Sequence, residues 1–71
     1  MSYKLTERQR EILGLIVEAA SNPQIGKALG LSAQTVNNHL RVIFAKLGVN
    51  SRIEAAVKAV REGLTTNDKK T

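Results

Sequence analysis

Apolar residues return every three or four positions in four successive stretches, the period of a helix with one buried face. Ile12, Leu13, Ile16, Val17 and Ala20 form the first stripe. Thr6, with Gln9 three residues on, supplies a capping box at its start, so helix one is expected over about 7–20. Two overlapping start signals follow: Ser21 with Gln24 is a second capping box, and Asn22 precedes a Pro23 suited to a first helical turn. Either opens a short helix over about 23–29 with Ile25, Ala28 and Leu29 turned inward. Gly30 stops it, Leu31 plugs the turn, and Ser32 caps helix three, about 33–47. Val36, Leu40, Ile43, Phe44 and Leu47 stripe that helix, and Gly48 ends it. Helix four runs over about 51–62, from Ser51 with Glu54 as its capping box to Gly63. The pattern predicts an all-α, four-helix domain over 1–64 and a disordered polar tail over 65–71.

Helices two and three, joined by a short glycine-containing turn, have the layout of a helix-turn-helix, whose second helix enters the major groove of DNA. Such corners also occur in proteins that never touch DNA, so the exposed face of helix three must decide. At about 100° per residue, Gln34, Asn38, Arg41 and Ala45 fall opposite the apolar stripe, with Asn37 on one shoulder. Thr35, His39 and Lys46 form the other shoulder. Asn and Gln are able to bond adenine N6 and N7 together, and Arg to bond guanine O6 and N7. Gln34, Asn37, Asn38 and Arg41 are therefore the candidate base contacts. Ser32, Thr35, His39 and Lys46 are candidate phosphate contacts. Lys27 either reaches a phosphate from helix two or is simply solvated.

Charge sharpens this picture. The 71 residues carry 11 Lys or Arg and 6 Asp or Glu, a net charge of +5. No acid lies between Glu18 and Glu54, an interval that holds Lys27, Arg41, Lys46 and Arg52. A basic centre with acids kept near the ends is the footprint of a polyanion binder. Tyr3 and Phe44 are the only aromatic residues, too few for the stacking platforms of single-strand binding. There is no cysteine and one histidine, so no nucleophile–base pair or metal constellation is recognisable, and the chain is expected to be neither an enzyme nor a cofactor protein. A chain this short buries only about 60% of its unfolded surface, which leaves no room for an enclosed small-molecule site. The N-terminus lacks the apolar run of a signal peptide and no stretch approaches the ~20 apolar residues of a membrane span, so a soluble cytoplasmic protein is expected.

The stretches LTERQREIL, SNPQIGKALGLSAQTVNNHL and KLGVNSRIEAA resemble the LuxR/FixJ/GerE-type helix-turn-helix domain. The resemblance runs from Leu5 to about Gly63. Its pattern TVxxHLxxIxxKLGVxSRxEA is matched by Thr35, Val36, His39, Leu40, Ile43, Lys46, Leu47, Gly48, Val49, Ser51, Arg52, Glu54 and Ala55. It implies a four-helix module of bacterial transcription factors, with base contacts at Asn37, Asn38 and Arg41 and phosphate contacts around Thr35, His39 and Lys46. It also implies a homodimer through helix four, which agrees with the extra apolar surface that Ile53, Ala56, Val57 and Val60 give that helix. RNA polymerase is a further partner to consider. The family often has Glu where Gln9 stands, Lys-Glu-Ile-Ala where Pro23, Gln24, Ile25 and Gly26 stand, and Lys-Val where Asn37 and Asn38 stand. Gly26 inside helix two costs up to ~1 kcal/mol relative to Ala, so a weakly formed helix is expected there. Asn37 in place of a cation shifts the expected preference toward adenine-containing sites.

Two other readings compete. Region four of a sigma factor shares the helix-turn-helix but not the appended KLGV and SRxEA segments. A protein-interaction module, such as an anti-activator working through helix four, would bind DNA weakly and without sequence preference.

Overall fold

The computed structural model describes residues 3–65. It contains α1 (Glu7–Val17), α2 (Asn22–Leu29), α3 (Ala33–Leu47) and α4 (Arg52–Glu62), with no strand among the described residues. The all-α, four-helix expectation holds. Residues 66–71, most of the expected polar tail, lie outside the described residues.

Each helix start is fixed by a hydroxyl that accepts from a backbone N–H three residues on, which satisfies one of the amides a helix end leaves without a partner. Thr6 accepts from Gln9 N at 3.1 Å while Gln9 Oε1 accepts from Thr6 N at 2.9 Å. Ser21, not Asn22, caps α2: its Oγ accepts from Gln24 N at 3.2 Å, and Gln24 Oε1 accepts from Ser21 N at 2.8 Å. Ser32 caps α3 through Thr35 N at 3.1 Å. At α4 the expected box is shifted by one residue. Ser51 Oγ accepts from Glu54 N, but the Glu54 carboxylate accepts from Asn50 N at 2.9 Å.

Helix one ends earlier than expected, at Val17 rather than near Ala20. Ala19 takes a left-handed φ of +67°, with Ala19 N donating to Ile16 O and Ala20 N donating to Leu15 O at 2.9 and 3.0 Å. This is the hydrogen-bond pattern of a glycine-ended helix built on alanine. No glycine marks the spot, so the apolar period ran on past the true end. The other three helices end at left-handed Gly30, Gly48 and Gly63.

The core joins Ile12, Leu13 and Ile16 of α1, Ile25 of α2, Val36, Leu40, Ile43 and Leu47 of α3, and Ala55 and Ala59 of α4. α4 packs chiefly on α1 and α2 on α3, while α1 also touches α3. Within α2, Ile25 is fully buried, but Ala28 is exposed and Leu29 only half-buried. The inward face of that helix is completed by Gly26 instead. A Cβ built on Gly26 would collide with the carbonyl oxygen of Leu31. Leu31 N donates to Gly26 O at 2.8 Å, which pins the turn against the helix. Gly26 is thus the contact that lets the turn close, and α2 is fully formed.

Candidate nucleic-acid interface

α3 stands with one face sealed and one open. Val36, Leu40, Ile43 and Leu47 are at most 4% exposed, which fixes the helix rotation. Gln34, Asn37, Asn38 and Arg41 are consequently all exposed on the outer side. Gln34 Nε2 donates to Asn38 Oδ1 at 3.4 Å, so the two amides stand as a pair one turn apart. Ser32 is exposed, and its Oγ donates to Thr35 Oγ1 at 3.0 Å. Thr35 and His39 are half-buried along the shoulder, and Lys27 is exposed on α2. The ion pairs Arg8–Glu11, Arg10–Glu7 and Lys58–Glu62 lie on α1 and α4, leaving the α3 face free of acids. Among the described residues no group of three or more His, Cys, Asp or Glu is able to hold a metal ion.

Lys46 is placed differently from its shoulder-mates. Its Nζ donates to Lys4 O at 2.8 Å and to Gln9 Oε1 at 2.9 Å, tying the last turn of α3 to the start of α1. Gln9 is the buried polar side chain of the core, and no buried side-chain N or O among the described residues lacks a partner. Two of the three ammonium donors are thus already engaged within the fold.

Sequence reasoning counted Arg52 as a charge and as a match to the family pattern, and missed its structural role. Its Nη1 donates to Asn22 Oδ1 at 2.6 Å and its Nη2 to Ala20 O at 2.5 Å. It braces the loop that sets α2, and through α2 the angle at which α3 is presented. Only the partners 30 and 32 residues away reveal this role. Val42, also unflagged, is 47% exposed on α3.

On α4 the core-facing residues are the alanines, so the larger side chains point out. Ile53 is 76%, Val60 65% and Val57 47% exposed, and Ala56 is half-buried. An open groove of about 400 Å³ runs beside them, lined by Val17, Ala20, Ile53, Ala56 and Val57 among others.

An acid-free helix presenting amides and a guanidinium, rigidly held by a capped partner helix, defines a helix-turn-helix DNA-binding domain. The family model described as "Bacterial regulatory proteins, luxR family" matches residues 3–59, and the chain belongs to that family. It is 42% identical over 59 residues to the transcriptional regulatory protein DegU of Brevibacillus brevis, covering 83% of this chain and 25% of that protein. It is 44% identical over 57 residues to the HTH-type transcriptional regulator MalT of Yersinia pestis, covering 80% of this chain and 6% of MalT. The chain thus spans a quarter or less of these two relatives. Among solved structures the transcription factor GerE matches with a TM-score of 0.79 and 38% identity, over 93% of this chain and 97% of that one. Among the described residues no helix is long and apolar enough to cross a membrane.

Proposed function

We propose that the chain binds duplex DNA sequence-specifically, with α3 in the major groove and two copies paired through α4 on two half-sites. The observation that carries this reading is the exposed, acid-free set Gln34, Asn37, Asn38 and Arg41 on a helix whose rotation is fixed by its buried face. These four offer the bidentate donors and acceptors that base edges require, each good pair being worth about 1–3 kcal/mol of discrimination. Ser32 at the N-cap of α3, Thr35 and His39 on α3, and Lys27 from α2 supply phosphate contacts that set the register. Lys46 is left out of this set, because its ammonium is bonded to Lys4 O and Gln9.

The exposed Ile53, Val57 and Val60, with Ala56 between them, support pairing of two copies. An isologous contact of this kind places the two α3 helices to read half-sites about one helical turn, or a multiple, apart. Duplex DNA as the partner locates the domain at the bacterial chromosome, in the cytoplasm.

The test is a selection of bound duplexes from a random-sequence pool at about physiological salt. Enrichment of an inverted pair of half-sites rich in adenine and guanine contacts is expected. Retention of DNA with no enriched motif would reduce the domain to a general polyanion binder and favour the protein-interaction reading of α4.

A further inference from the structure

Val42 is an apolar residue of α3 that the fold does not bury. It is 47% exposed, whereas Val36, Leu40, Ile43 and Leu47 on the same helix are at most 4% exposed. At about 100° per residue it lies one turn after Asn38, at the edge of the outward face where that face meets the shoulder of Thr35 and Lys46. The other large exposed apolar residues among the described residues, Ile53, Val57 and Val60, belong to α4, so Val42 is not part of that patch. A single surface valine needs no explanation by itself. This one, though, borders the polar set Gln34, Asn38 and Arg41 on its Thr35 side, at a helix position where a β-branched residue is a poorer helix former than Ala, Lys or Glu.

In the major groove an A·T pair offers two kinds of feature: the N7 acceptor and N6 donor of adenine, and the C5-methyl of thymine. The Gln34–Asn38 pair carries amide chemistry suited to the first. Val42, one turn further along the same face, carries chemistry suited to the second. Resting on the reading of α3 as a groove-bound helix, we propose that Val42 is a specificity-determining residue. Its γ-methyls pack on the C5-methyl of a thymine next to the base pair contacted by Asn38. The residue then discriminates by apolar contact where its neighbours discriminate by hydrogen bonds.

The test uses the duplex recovered from the random pool, resynthesised with deoxyuridine in place of each thymidine in turn. That change removes the methyl and leaves every hydrogen-bonding group in place. The wild-type protein is expected to lose about three- to fivefold in affinity at one position per half-site, the worth of one buried methyl-sized group. Val42→Ala is expected to lose that sensitivity while keeping its preferences elsewhere, and Val42→Ile to retain it. Because Val42 is half-exposed, the helical circular dichroism of both variants should match the wild type. Indifference of the wild type to deoxyuridine at every position, or an unchanged response in Val42→Ala, overturns the proposal. A selection that enriches no duplex overturns it earlier, together with the reading it rests on, so the two failures are distinguishable.

Discussion

At position 26 two residue-scale effects act in opposite directions. Replacing a mid-helix glycine by alanine ordinarily gains up to ~1 kcal/mol. Here the added Cβ meets the Leu31 carbonyl, a backbone group held in place by the Leu31 N to Gly26 O hydrogen bond. Overpacking against immobile neighbours costs about 1–3 kcal/mol, so the clash wins. Gly26→Ala is expected to lower stability by roughly 1–2 kcal/mol and Tm by roughly 5–15 °C, measured by thermal unfolding. Ala19 is the mirror case, an L-residue at φ +67° where a helix must end. The left-handed conformation costs about 1–2 kcal/mol, and glycine returns part of this as unfolded-state entropy. Ala19→Gly is therefore expected to raise stability by about 0.5–1 kcal/mol in the same assay. Neither residue was legible in the sequence for its true role. Propensity sees only the local chain, and both effects depend on where the backbone turns next.

At the scale of elements, the sequence was most legible where a local signal coincided with the apolar period. α3 was read to within a residue at both ends because Ser32 and Gly48 bracket an unbroken stripe. The same stripe fixed which side chains α3 exposes, so the amide and arginine face could be read before the fold was known. Long-range polar contacts were not legible. Lys46 has the spacing of a phosphate contact, yet it lies within reach of Gln9 and Lys4, 37 and 42 residues away. Hydrogen bonds from a charged group contribute about 1.5–3 kcal/mol when well formed, and less when partly exposed as here. Lys46→Ala is expected to destabilise the domain by about 1–2 kcal/mol in denaturant unfolding. Its DNA affinity should keep the wild-type salt slope, whereas loss of a phosphate contact would lower that slope by roughly one unit.

For the whole molecule, the division of labour among helices follows from what each buries. α4 gives only alanines to the core, so its larger residues remain exposed on the surface proposed for pairing. Ile53 is the most exposed of them, and it lies in the first turn of α4, where an acidic side chain favours the helix dipole. Ile53→Asp is thus expected to leave folding intact while removing paired binding. In a titration of a two-half-site duplex, cooperative occupation should be lost and single half-site binding retained. The apolar excess of α4 was visible in the sequence. Arg52, which ties α4 to Ala20 in the α1–α2 loop and to Asn22 at the start of α2, was not, because a braced arginine and a solvated one look alike until the chain is folded.

Arg41 carries the central claim, since it is the exposed guanidinium on the face assigned to the groove. The most direct measurement is the affinity of wild-type and Arg41→Ala protein for the selected duplex and for a scrambled duplex at one salt concentration. A bidentate guanine contact worth about 1–3 kcal/mol predicts that the specific-to-scrambled ratio falls roughly 5- to 150-fold. Binding to the scrambled duplex should fall far less. A ratio unchanged by Arg41→Ala would contradict the placement of α3 in the major groove.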